Sequence, residues 1–151
     1  MSLGIFDDIL WKYDGGFFVF HKTDNLIQVC NAPDGETCGV YIFTAMIDGE
    51  IDVIYIGCSG HIEGGKPIAR VGGLKRRIYG KQNGVAREKY YNDVMDELKV
   101  SELKVYWFLT KDDDPEYVEY KLILRYITTR HKLPMYNNKL ERKNDKTKIG
   151  E

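Results

Sequence analysis

The sequence predicts a mixed α+β domain, a small and mostly antiparallel three-stranded sheet flanked by helices, with helix and strand additions at the N-terminus. Three observations carry this reading. Two short apolar runs within residues 39–60 flank the turn pair Asp48-Gly49, as in a β-hairpin. The stretch "LKVYWFL" sets Val105, Trp107 and Leu109 against Lys104, Tyr106 and Phe108, the alternation of a half-buried strand. The stretch "PEYVEYKLILRYITTRHK" puts Val118, Leu122, Ile123, Tyr126 and Ile127 on one helical stripe. A chain of 151 residues, 43% apolar and 13% aromatic, suffices for one domain with one packed core.

In chain order, Ile5, Phe6, Ile9, Leu10 and Tyr13 are spaced as on a short amphipathic helix. "GGFFVFHK" and "NLIQVC" read as strands or strand-like extensions with a turn at Lys22-Thr23-Asp24, and "NAPDGETCG" reads as a loop. After the hairpin comes a glycine-rich loop, 57–65, and Pro67 suits the first turn of a short helix, interrupted at Gly72-Gly73 and resumed through "LKRRIYG". "VAREKYYNDVMDELK" is a second helix with Val85, Tyr90 or Tyr91, Val94 and Leu98 inward. The last helix has the clearest start: Asp114 as N-cap, Pro115 in the first helical position and Glu116 at the positive end of the dipole. Glu119 sits at the edge of its apolar stripe. Residues 1–37 read as an embellishment of the same domain as 38–140, and 141–151 as a polar tail.

Composition narrows the class. No run of eighteen apolar residues is present and no cleavable leader precedes the first polar segment, so a membrane or secreted protein is not expected. Cys30, Cys38 and Cys58 have neither an even count nor a CxxC spacing, which suits reduced thiols in a cytoplasmic protein. The net charge of −1 is not that of a general nucleic-acid binder, but the charge is segregated. Eight lysines and arginines between Lys66 and Lys89 face one acid, Glu88, and nine between Lys121 and Lys148 face Glu141 and Asp145. Clusters of this kind can build a basic face that attracts phosphates, although solvated helix surfaces carry similar runs.

Gly39-Val40-Tyr41, Tyr55-Ile56-Gly57, Arg77 within "LKRRI", Glu119 within "EYKLI" and Asn137 within "PMYN" follow one another on a strand pair, a basic helix, a further helix and the loop after it. In that order the chain resembles the GIY-YIG nuclease family over residues 38–139. Each tripeptide alone arises by chance; five motifs in sequence on the expected elements do not. The chain departs from the family in carrying Val40, thirteen residues between the two tyrosines, a longer stretch from Gly57 to Arg77, and Lys81 where many relatives hold a histidine or tyrosine.

The resemblance implies a metal-dependent DNA endonuclease with Tyr41, Tyr55, Arg77, Glu119 and Asn137 as catalytic residues. It implies one Mg²⁺ (or Mn²⁺) held by Glu119, and contacts to the DNA from Gly39, Gly57, Ser59, Lys75, Arg76 and Lys81. Targeting in the family comes from added loops, domains or partner proteins, so DNA and a specificity-giving protein are the implied partners. A binding module with the same fold and no turnover is the alternative.

The chemistry is consistent with those residue types. One carboxylate with water and phosphate oxygens suits Mg²⁺, and a guanidinium is a planar, permanently charged partner for non-bridging oxygens. Glycines at 39 and 57 would let a DNA backbone approach the strands. A tyrosine base at neutral pH needs its pKa lowered by about three units, roughly 4 kcal/mol, which a metal, Arg77 or Lys81 would have to supply; otherwise Tyr41 orients the water and another group takes the proton. Geometry adds a test. A plain two-residue turn at Asp48-Gly49 would pair Tyr41 with Ile56 and throw the two phenols to opposite faces, so an odd-length loop or a β-bulge is expected.

Overall fold

The computed structural model describes residues 3–82 and 84–138; the expected polar tail, 141–151, lies outside them. A single 3₁₀ turn, Gly4–Phe6, runs into α1 (Asp7–Leu10), followed by β1 (Gly15–His21), α2 (Leu26–Val29), and the long hairpin β2 (Gly39–Ile47) and β3 (Glu50–Ser59). A small hairpin, β4 (His61–Glu63) and β5 (Lys66–Ile68), leads to α3 (Gly73–Tyr79). Then come β6 (Lys81–Gln82), β7 (Val85–Ala86), α4 (Arg87–Leu98), β8 (Glu102–Leu109) and α5 (Pro115–Arg130).

The α+β class is as expected, with one more strand in the central sheet. Its order is β1-β8-β2-β3, with every neighbouring pair antiparallel. The additional strand is "GGFFVFH", which pairs along the whole of β8 from Gly15 opposite Phe108 to His21 opposite Glu102. The N-terminal stretch therefore supplies an edge of the sheet itself.

Strand alternation sorts the core into two layers. On the first face Phe18, Phe20, Tyr41, Phe43 and Val105 pack with Leu74 and Ile78 of α3 and Tyr91, Val94 and Met95 of α4. On the second, Val40, Ile42, Ile56, Tyr106 and Phe108 meet Val118, Leu122, Ile123 and Tyr126 of α5, with Phe6, Ile9 and Leu10 from the N-terminal turns. Arg125 clamps those turns to α5, donating to both carboxylate oxygens of Asp8 at 2.6 and 2.9 Å and to the Ile5 carbonyl.

Three local expectations give way. "NLIQVC" forms a helical turn, because the Asn25 side chain caps it by accepting from Gln28 N. Pro67 stands in β5 opposite Ile62, on a two-stranded ribbon with no further neighbour to need its missing N–H; the helix begins only at Gly73. Val85 is exposed in β7, and the inward positions of α4 are Arg87, Tyr91, Val94 and Met95.

The start of α5 follows its punctuation. Asp114 accepts from Glu116 N at 2.9 Å, and His131 closes the helix in the left-handed region at φ 62°. Asp114→Ala is expected to lower stability by about 1 kcal/mol, seen as a lower urea midpoint at unchanged m-value; an unchanged midpoint would remove the cap from the account. Cys30, Cys38 and Cys58 are buried and form no disulfide. Among the described residues no helix is long and apolar enough to cross a membrane.

Candidate active site

The site begins with the β2–β3 hairpin. Asp48 and Gly49 are both left-handed (φ 52° and 82°), and Ile47 pairs with Glu50, so the loop is the two-residue kind. The ladder then slips between Phe43 and Thr44: Thr44 pairs with Val53 but Phe43 with Tyr55, leaving Ile54 as the extra residue of a bulge. Of the two devices expected, the bulge is the one used. It brings Tyr41 and Tyr55 to the same face, diagonal to each other with the Ile42–Ile56 pair between them and ring centroids 6.1 Å apart.

Tyr41 faces Gly57 across the ladder. A Cβ at Gly57 would stand 2.4 Å from Cζ and 2.5 Å from the hydroxyl oxygen of Tyr41, so the phenol lies in the space the glycine leaves open. A Cβ at Gly39 would meet the Phe108 carbonyl oxygen at 2.2 Å and Leu74 Cδ2 at 2.8 Å. Both glycines thus admit the protein's own atoms, where a DNA backbone was anticipated.

Burial decides the state of Tyr41. The residue has 0% exposure, and its hydroxyl is buried with no hydrogen-bond partner among the described residues. Burial pushes the phenol far above its ordinary pKa; the nearby charges of Arg87 and Arg77 pull it down, but less strongly. The lowering that a tyrosine base would require is not what this environment supplies. At neutral pH Tyr41 is a proton donor.

Arg87 is the residue that sequence reasoning missed. It opens α4, is 2% exposed, and its guanidinium lies 5.6 Å from the centroid of the Tyr41 ring. The same guanidinium donates to the Arg77 carbonyl in the last turn of α3, while its backbone N–H donates to Gly80 O at 2.7 Å. One side chain therefore fixes α3 against the phenol. Arg77 itself is half-buried, and its Nε is buried with no partner among the described residues. Ser59, on the same side of β3 as Tyr55 and Gly57 by alternation, also has a buried hydroxyl without a partner there.

The remaining candidates divide. Asn137 turns both amide groups onto the outer edge of β3, accepting from Ile56 N and donating to Ile56 O, each at 2.9 Å, while Tyr136 N donates to Ile54 O at 2.8 Å. It acts as a strand peptide, protecting an edge and holding the Tyr55 segment in place. Asn137→Ala would strand both groups of Ile56, at a cost of about 1–3 kcal/mol; amide hydrogen exchange at Ile56 should accelerate, and unchanged exchange there would refute this role.

Glu119 is half-buried on the sheet-facing side of α5, with Pro115 four residues before it and Leu122 and Ile123 three and four after, all buried. Glu119 belongs to α5, whose buried stripe packs on the second face, while Tyr41 and Tyr55 pack with the first. Lys75 is tied to Asp34 at 3.1 Å. Arg76 and Lys81 are exposed and line a cavity with Arg77. Among the described residues, no group of three or more His, Cys, Asp or Glu side chains converges as a metal site.

Five buried or part-buried phenols have a common consequence. Tyr13, Tyr41, Tyr91, Tyr126 and Tyr136 are all raised, each chiefly by burial, with Asp113, Asp52 and Glu97 adding to the shift at Tyr13, Tyr126 and Tyr136. A raised folded-state pKa gives stability that is complete below the unfolded value, about 10 for tyrosine, and is lost as pH rises beyond it. The phenolate absorbance of these five should then appear together with unfolding; a full phenolate signal from a folded chain would contradict their burial.

No protein-family model, curated protein or solved structure matches the chain.

Proposed function

We propose that the chain is a metal-dependent endonuclease that hydrolyses DNA phosphodiester bonds at the face formed by β2, β3 and α3. The observation that carries this reading is that two of the four buried side-chain polar groups without partners among the described residues are the Tyr41 hydroxyl and Arg77 Nε, the others being the hydroxyls of Ser59 and Thr110. Folded chains rarely leave such groups unmet, because each costs about 1–3 kcal/mol. An anionic oxygen admitted to either group would satisfy it. The motif order shared with GIY-YIG nucleases supports the same assignment.

In this reading Arg77 binds non-bridging phosphate oxygens, and Tyr41, as a neutral donor, holds either the attacking water or a phosphate oxygen. Tyr55 stands beside it, and Arg87 keeps α3 and the Tyr41 ring in register. The donor set fits Mg²⁺ or Mn²⁺ in one form only: a hard ion bound by Glu119 and completed by waters and substrate phosphate, since no all-protein cluster is present among the described residues. When bound, that ion supplies Lewis-acid stabilisation of the phosphate and the leaving oxygen. The partner is DNA, with targeting supplied by a further protein, and the setting is cytoplasmic.

A second reading is a nucleic-acid-binding module of the same fold without turnover. It draws on the complete burial of Tyr41. Incubation with duplex, nicked, single-stranded and branched DNA, with and without Mg²⁺, separates the two. Metal-dependent products from the native chain, absent with Glu119→Gln, are expected. Binding without cutting on every substrate would favour the module.

A further inference from the structure

Beside the phenols, α3, the β6–β7 hairpin and the start of α4 enclose a cavity of about 690 Å³ lined by Arg70, Arg76, Arg77, Lys81 and Arg87. None of its described lining residues is acidic. Several cations elsewhere pair with carboxylates: Lys12 with Asp113, Lys75 with Asp34, Lys89 with Asp93, Lys111 with Asp14 and Arg125 with Asp8. Among the described residues Arg70, Arg76, Arg77 and Lys81 form no ion pair. Like charges gathered in one recess repel, and a bound oxyanion relieves that repulsion through charge-assisted hydrogen bonds.

The recess is built rather than incidental. Its Arg87 is buried and fixed by the Arg77 and Gly80 carbonyls. Arg76 folds over Gly72, where a Cβ would stand 2.4 Å from its Cδ and 2.7 Å from its Cβ; the φ of +81° there also favours glycine. Arg77 belongs to both places, lining this cavity and acting on the Tyr41 phenol.

We infer that this recess seats a second phosphate of the same DNA strand, the neighbour of the one held at Arg77. The inference rests on the phosphodiester reading above and extends it: a strand gripped at two successive phosphates is cut at an internal bond, and a terminal nucleotide lacking the second phosphate binds poorly. Inorganic pyrophosphate offers the same chemistry from a different source.

The test uses the full chain carrying Glu119→Gln, with chelator present, so that binding is read without turnover. Affinity for a labelled duplex is measured between about 50 and 200 mM salt, before and after adding Arg70→Ala and Arg76→Ala together. Both side chains are exposed, and an unchanged melting temperature shows that the fold survives. Loss of one phosphate contact should reduce the slope of log affinity against log salt by about 0.9. An unchanged slope and affinity would overturn the second-phosphate site while leaving the nuclease reading intact. If neither the parent nor the native chain with Mg²⁺ binds or cuts DNA, the nuclease reading falls and the strand assignment with it; calorimetry with inorganic pyrophosphate then identifies the source, since saturable binding abolished by the two substitutions would make the recess a site for free phosphates.

Discussion

Tyr41→Phe is expected to melt at or above the native temperature and yet to cleave DNA at least about a hundredfold more slowly, the loss associated with removing one transition-state donor. The two effects have the same origin. The hydroxyl is fully buried and unpartnered among the described residues, so the resting fold gains nothing from it and bears its desolvation, about 1–3 kcal/mol. Phenylalanine keeps the ring against Phe43 and beneath Arg87 while removing the unmet donor. A group retained at a cost to stability points to chemistry. Thermal melts and single-turnover cleavage on the same preparation check both halves. A variant that is less stable and equally active would mean that the hydroxyl has a structural partner and no role in cutting.

Gly57→Ala is expected to be more damaging than any surface change, lowering stability by about 1–3 kcal/mol through overpacking and abolishing cleavage. The new methyl group would begin 2.4 Å from the Tyr41 ring, and that ring cannot swing away because it is enclosed by Phe43, Tyr55 and Arg87. Either the strand pair separates or the ring leaves its place; both remove the donor from the site. Chemical denaturation gives the first quantity and the cleavage rate the second. In a double-mutant cycle Gly57→Ala should cost less stability in a Tyr41→Ala background than in the native chain, since the three atoms nearest the new methyl all belong to Tyr41, and an equal cost in both would show that Gly57 is needed for some other reason.

The features legible in the sequence are those written in local chemistry. Asp114-Pro115-Glu116 announces the start of α5, and its stripe brings Val118, Leu122, Ile123 and Tyr126 to the second core layer. The tyrosine and glycine pairs of the hairpin, with the need for an odd register, foretell the bulge. Features that depend on distant partners were hidden. Nothing in "GGFFVFH" says that it adds to β8, because a strand's neighbour is set by tertiary packing. Arg87 reads as one more surface cation, since arginine is seldom buried, and only the fold shows it enclosed between Tyr41 and the end of α3. Asn137 was legible as a position but not in its role: its two hydrogen bonds go to a residue 81 positions away. Glu119 was singled out by its motif, and the fold adds that its helix packs on the second face of the sheet.

The most direct measurement is product analysis after incubating labelled DNA with the native chain and Mg²⁺ in isotopically labelled water. The account predicts internal cuts that leave 3′-hydroxyl and 5′-phosphate ends, with one solvent oxygen in each new phosphate. Intact DNA in every mixture, or product phosphates free of solvent oxygen, would contradict it.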